Sequence, residues 1–274
     1  MYRDLLVHVD GSDAGRRRVR FAVKLASHLG ARLTGLHVSP PAAVPYRYKP
    51  SQVTEGLVNA SRQIVVDARR AAVAFREETK GNPDDSPWSE VGGDVVQGIS
   101  DSARYADLVI LGQYEHQSPA ESHPLPAAHS VLLKCGRPVL VVPALAEPAI
   151  PARTVLAWDG SREAVRAIHD ALPLLRLSTS VQIVKMTRSE SEKTDADTKS
   201  LAEHLARHDV RVESIILQSV SKAEHDQLRG QIEQGKYDLL VMGGYSHPVW
   251  LEFVFGGATE SILGSSKIPV LVSH

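Results

Sequence analysis

The sequence predicts an α/β chain of two tandem domains, each a doubly wound five-stranded parallel sheet, on three observations. The chain repeats itself, apolar runs alternate with helix-period segments, and several of the apolar runs are continuous rather than alternating. The repeat is read first. D-L-L-V-H-V-D-G-S at 4–12 has a counterpart in R-T-V-L-A-W-D-G-S at 153–161, an offset of 149, with Asp10-Gly11-Ser12 matching Asp159-Gly160-Ser161. D-L-V-I-L-G-Q-Y at 107–114 matches D-L-L-V-M-G-G-Y at 238–245, and R-P-V-L-V at 137–141 matches I-P-V-L-V at 268–272, both at an offset of 131. The last third of each half therefore has one length, and the 18-residue surplus of the first half is assigned to 39–85, which carries P-P-A-A-V-P-Y-R-Y-K-P. Domains at 1–146 and 151–274 follow, joined by a Pro-containing, extended linker near 144–153.

Within each half the elements follow in order. A short β-branched and Leu run ends in Asp-Gly-Ser, and a helix follows at 13–29, where Val19, Ala22, Val23 and Ala26 recur at helix spacing. L-T-G-L-H-V at 33–38 and V-Q-I-V-K-M at 181–186 are second strands, followed by polar-rich helices at about 52–80 and 194–208. In the second half R-V-E-S-I-I-L at 211–217 is a third strand. A helix near 222–235, a strand ending at Gly243, a helix near 257–265 and a strand at 270–272 complete the alternation. Continuous runs such as L-V-I-L at 108–111 predict strands covered by helices on both faces.

Composition excludes several classes. The 274 residues carry 31 Lys plus Arg against 32 Asp plus Glu, a net charge of −1, so no global basic field exists to gather nucleic acid or anionic lipid. The single cysteine, Cys135, rules out an intrachain disulfide and a Cys-rich zinc module, and fits a reducing cytoplasm. No apolar stretch reaches membrane-helix length, and the first run is broken by Asp4, His8 and Asp10, unlike a signal peptide. Neither G-x-G-x-x-G nor G-x-x-x-x-G-K-S follows the first strand, which disfavours hydride transfer and P-loop hydrolysis.

In a doubly wound sheet, ligands bind outside the carboxyl ends of the strands where the winding reverses. Two loops of the second half occupy such positions: Asp159-Gly160-Ser161, and Gly243-Gly244-Tyr245-Ser246 running on to Gly256-Gly257-Ala258-Thr259. Asp159 and Ser161 are open to two readings, helix capping or ligand contact. The four glycines are either turn punctuation or unobstructed amides at a helix N-terminus, which is what phosphate binding needs.

These strand-Asp-Gly-Ser openings, the D-L-L-V-M-G strand, the Gly-rich crossing and the closing P-V-L-V strand together resemble the universal stress protein family in its tandem form, over nearly the whole chain. The resemblance implies a Rossmann-like, adenine nucleotide alpha hydrolase-like fold, and ATP or ADP, with or without Mg²⁺, as the cofactor. Nucleotide-binding members carry Gly, two residues, Gly, nine residues, then Gly followed by Ser or Thr. Here Gly243, Ser246, Gly256 and Gly257 keep the spacing and change two identities. By the resemblance Asp159 faces the ribose or adenine, the backbone near Met186 faces the adenine, and Gly160 and Ser161 belong to the same nucleotide site. Gly243, Ser246, Gly256, Gly257 and Thr259 then surround the phosphates, with Met242 and Ala258 also in the nucleotide site.

The first half departs further, because Glu115, Leu125 and Pro126 stand at the positions of Ser246, Gly256 and Gly257. Glu115 repels phosphate and Pro126 has no amide to donate, so this half is expected not to bind ATP through the motif. His116, His123 and His129 match no metal-ligand spacing, and no metal site is assigned. Trp250, Phe253 and Phe255 read as core, Arg16-Arg17-Arg18 with Arg20 as a solvated helix face, and Cys135, aligned with Ser266, as a buried small residue. The expected function is a cytoplasmic stress-response protein that binds a nucleotide without catalysis. A slow ATPase and a nucleotide-free scaffold are the alternatives. The closing strands Val139-Leu140-Val141-Val142 and Val270-Leu271-Val272 lack Lys or Pro and so form unprotected edges that need a partner; the resemblance implies that the two halves pair there as an internal pseudo-dimer, with a homodimer of chains also open.

Overall fold

The computed structural model describes residues 1–42, 53–81, 86–113, 128–145, 149–187, 196–219, 230, 236–244 and 266–274. The first half runs β1 (Asp4–His8), α1 (Asp13–Leu29), β2 (Arg32–Ser39), α2 (Val53–Glu78), β3 (Trp88–Gly92), α3 (Val95–Ala103), β4 (Leu108–Gly112), α4 (Ala128–Cys135) and β5 (Val139–Val142). The second runs β6 (Arg153–Trp158), α5 (Arg162–Leu175), β7 (Ser180–Thr187), α6 (Ala196–Arg207), β8 (Val212–Ser219), β9 (Leu239–Gly243) and β10 (Val270–Ser273). The helices expected near 222–235 and 257–265 lie outside the described residues, apart from the helical Gly230.

The ten strands among the described residues form one sheet in the order β3-β2-β1-β4-β5-β10-β9-β6-β7-β8. Neighbours are parallel within each half, and β5 and β10 meet antiparallel at the centre, with Leu140 opposite Leu271 and Val141 opposite Val270. The continuous apolar runs follow from burial on both faces. Leu108 and Ile110 join one core layer with Phe21, Leu25 and Phe75, while Val109 and Leu111 join the other with Ile99 and Val131. Each layer contains residues of both halves, so the central strands extend the core across the junction.

Repeated residues repeat their bonds. The Asp before the fourth strand of each half clasps the start of the first strand: Asp107 Oδ2 accepts the amides of Arg3 and Asp4 at 2.6 and 3.0 Å, and Asp238 Oδ2 those of Ala152 and Arg153 at 3.3 and 3.0 Å. Cys135 Sγ bonds the carbonyl and amide of Arg137 at 3.3 and 3.4 Å, as Ser266 Oγ does with Ile268 at 2.7 and 3.3 Å. The halves differ most in their second helix. α2 has 26 residues and α6 has 12, which accounts for much of the surplus assigned to 39–85.

The arginine run departs from expectation. Arg18 is 1% exposed rather than solvated, because on α1 it shares the inward face with Phe21, Ala22 and Leu25. Its guanidinium donates to the His8 carbonyl at 2.8 Å and to Asp10 Oδ2 at 2.7 Å. Arg17 donates to the Ala144 carbonyl, and Arg16 and Arg20 pair with Glu77 and Glu78 near the end of the long α2. Among the described residues, no helix is long and apolar enough to cross a membrane.

Candidate functional site

The winding reverses between β1 and β4 in the first half and between β6 and β9 in the second, so each Asp-Gly-Ser loop sits at a crevice of the kind where α/β sheets bind ligands. Both loops begin alike. In the second half, Ser161 caps α5 by accepting the Ala164 amide at 3.1 Å, and its own amide and hydroxyl donate to Asp159 Oδ1 at 3.0 and 2.6 Å. In the first, Ser12 accepts the Gly15 amide at 2.9 Å and donates to Asp10 Oδ1 at 3.0 and 2.6 Å. Capping is thus an observed role of both serines, and each Asp fixes its serine.

Beyond the cap the two sites diverge. Asp10 receives the buried Arg18 guanidinium on its second oxygen, whereas Ala167 stands at the position of Arg18 in the second half. Burial by itself would raise the Asp10 carboxyl. The Arg18 charge, with His8 and the Ser12 bond, outweighs it and holds the group well below the usual carboxylate range. Burial and the same guanidinium push His8, 4% exposed, down to about 3.

The space above each loop differs as well. Gly11 has φ 77°, and a β-carbon there would lie 3.0 Å from the Ala71 amide nitrogen and Arg70 Cβ and 3.1 Å from the Asp67 carbonyl. The middle of α2 therefore lies directly on the first-half loop. Gly160 has φ 72°, and the one neighbour its β-carbon would meet within 4 Å among the described residues is Asp197 Oδ2, at 3.8 Å. Here the first turn of the shorter α6 stands off from the loop. Asp197 Oδ2 accepts Trp158 Nε1–H at 2.9 Å and pairs with Lys185 Nζ at 3.6 Å.

The remaining site residues separate into two groups. A β-carbon on Gly243 would lie 2.6 Å from the Ala164 nitrogen, so glycine is required there for β9 to end against the first turn of α5. Met242 is 3% exposed and packs in the core layer with Ala157 and Val184. Met186 lies on β7 opposite Gln218, and its side chain lies outside the described residues. Ser246, Gly256, Gly257, Ala258 and Thr259 lie outside them too, as do Trp250, Phe253, Phe255, Glu115, His116, His123, Leu125, Pro126 and the side chain of His129. Among the described residues no group of three metal-ligating side chains occurs. Sequence reading missed Trp158, Lys185 and Asp197. Asp197 lies in the polar run K-T-D-A-D-T-K, where nothing marks one acid as folded back over a strand end.

A doubly wound parallel sheet with a loop Asp at each reversal point defines a class, the doubly wound α/β proteins, whose crevices for ligands lie at those reversals. Residues 1–143, just over half of the chain, match the universal stress protein family, and the chain belongs to that family. Its fold is similar to that of a universal stress protein from Archaeoglobus fulgidus DSM 4304, at TM-score 0.69 and 16% identity over 98% of this chain and 97% of that one. It is similar also to a putative universal stress protein from Pseudomonas aeruginosa UCBPP-PA14, at TM-score 0.61 and 15% identity over 99% and 93%. No curated protein matches the sequence.

Proposed function

We propose that this chain is a stress-response regulatory protein that binds an adenine nucleotide, ATP or ADP, in the domain at 151–274, while the domain at 1–146 serves as a structural half. The observation that carries this reading is the contrast above the two Asp-Gly-Ser loops. Over Gly11 the backbone of α2 lies within 3.1 Å of a β-carbon, and Asp10 is claimed by Arg18. Over Gly160 the nearest described atom is 3.8 Å away. The α5 N-terminus is a poor seat for phosphates, since Glu163 lies in its first turn. The phosphates are therefore assigned to Gly243, Ser246, Gly256, Gly257 and Thr259, with Met186 toward the base. The stretch 247–255 holds no Lys or Arg, so Mg²⁺ would supply the countercharge. The absence of Lys and Arg from 247–255 and the Ser246 and Gly257 substitutions favour binding without turnover.

The direct experiment is mass spectrometry of small molecules released on denaturing the freshly purified chain, followed by calorimetric titration with ATP and ADP. Stoichiometric nucleotide, or saturable binding at one site per chain, is expected. Absence of both would favour the nucleotide-free scaffold.

A further inference from the structure

Of the 12 histidines, only His204 and His208 stand four residues apart. They close α6 at the end opposite Asp197, and residues at that spacing are neighbours on one helix face. Their ring centroids lie 4.6 Å apart, with the planes tilted by 59° rather than stacked. Leu201 and Leu205 take the inward face of the helix, while both histidines are half-buried, so the two imidazoles lie on its flank within reach of solvent. Neither ring makes a hydrogen bond or an ion pair among the described residues.

The fold already holds both residues in place. His204 is inside the helix. The His208 amide donates to the Leu205 carbonyl at 2.9 Å, and its carbonyl accepts Arg176 Nε from the end of α5 at 2.8 Å. The turn then closes through Asp209 at φ 62°, and the Val210 amide donates back to Leu205 at 3.0 Å. Two ligands ordered in advance lower the entropic cost of capturing an ion. Burial pushes the His204 ring below its ordinary value, and His208, Arg207 and His169 act in the same direction, so at neutral pH this ring is the uncharged form that binds metals. Exposed Arg176 and Arg207 are offset by the exposed neighbours Glu203 and Asp209, so local charge neither drives nor forbids a cation.

We propose that His204 and His208 form a two-imidazole site for a divalent late first-row transition ion, Cu²⁺, Ni²⁺ or Zn²⁺, with water completing its shell. Two imidazoles bound in adjacent positions at about 2.0–2.1 Å per nitrogen bring their ring centroids to roughly 4.5–5 Å. The observed 4.6 Å falls in that range. Imidazole suits these ions, and the order of affinity among them makes Cu²⁺ the tightest. Mg²⁺ prefers oxygen ligands, so the pair differs in place and in chemistry from the nucleotide site and does not depend on it. With only two protein ligands the ion is exchangeable, and its binding staples the last turn of α6 to the residue that ends it.

The test is titration of the metal-free full chain with the Cu²⁺–iminodiacetate complex, whose chelator leaves adjacent positions open for two imidazoles. Calorimetry reads affinity, and electron paramagnetic resonance reads the histidine nitrogens on the copper. Wild type is compared with His204→Gln, His208→Gln and, as a control, His28→Gln, whose ring bonds the Lys24 carbonyl on α1. Glutamine keeps helix propensity at these flank positions. Two ligands on one chain act at high effective concentration, so wild type and His28→Gln should bind one complex per chain about tenfold or more tighter than either other variant, through two histidine nitrogens. The complex should also raise the melting temperature of wild type above its own metal-free value, and leave those of His204→Gln and His208→Gln at theirs. Equal affinity in all of these proteins, a single histidine nitrogen on the copper in wild type, or loss of tight binding in His28→Gln overturns the pair as a metal site.

Discussion

Arg18 and Asp10 form a buried ion pair, Nη2 to Oδ2 at 2.7 Å, with their side chains 2% and 15% exposed. The pair joins the second turn of α1 to the loop that follows β1. Its counterpart in the second half is Ala167 with Asp159, so the same loop is neutralised from within in one half and not by an arginine at that position in the other.

Arg18→Ala should destabilise the chain by about 3–5 kcal/mol, because it leaves the Asp10 carboxylate buried without its countercharge. Chemical denaturation measures this. The double change Arg18→Leu with Asp10→Asn should recover much of the loss; equal stability of Arg18→Ala and wild type would mean that water reaches Asp10 freely.

Stability should fall on acidification, in two overlapping steps of the same sign. His8 titrates at about 3 in the folded chain and near 6.5 when unfolded, so the unfolded state binds the extra proton between those values. Stability is lost progressively as pH falls through that window. Asp10, depressed when folded, contributes above the unfolded carboxylate range and loses that contribution below about pH 4. Denaturation midpoints between pH 7 and 4 should decline less steeply in His8→Asn, and an unchanged slope would remove His8 from the account.

Val141→Lys with Leu271→Lys should loosen the junction of the two halves. Both residues are almost fully buried where β5 meets β10, and two ammonium groups there have no acidic partner in the register. A loss of several kcal/mol and a larger radius in solution scattering are expected. A double variant as compact and as heat-stable as wild type would contradict the central pairing.

Cys135→Ser should cost under about 1.5 kcal/mol, since Ser266 already makes the same turn in the other half. Burial raises the Cys135 thiol, so the native chain should react slowly with iodoacetamide at pH 8 and quickly once unfolded. Rapid labelling of the folded protein would show the helix end open.

For the nucleotide site, Asp159→Ala should weaken ATP binding at least tenfold, while Asp10→Asn leaves it unchanged. Gly256→Asp should abolish it, by about 1–3 kcal/mol or more, by setting a charge beside the phosphates. Titration of each variant decides the matter, and loss on changing Asp10 alone would move the ligand to the first half.

What the sequence by itself determined is what repeats or alternates. The matched Asp-Gly-Ser loops, the equivalence of Cys135 with Ser266, and the paired apolar closing strands were all visible, because burial on two faces and a fixed strand order impose a residue pattern that survives in one dimension. Tertiary structure alone decided which charges were inside and what stood over each loop. Arg18 reads as part of a basic run, and only the rotation of α1 against β1 turns its guanidinium onto Asp10. Asp197 reads as a member of a polar run, and only the length of α6 sets its first turn over Gly160, where α2 covers Gly11 with its middle. Such contacts depend on where a helix starts and how it lies on the sheet, and those are set by packing of the whole core rather than by neighbours in sequence.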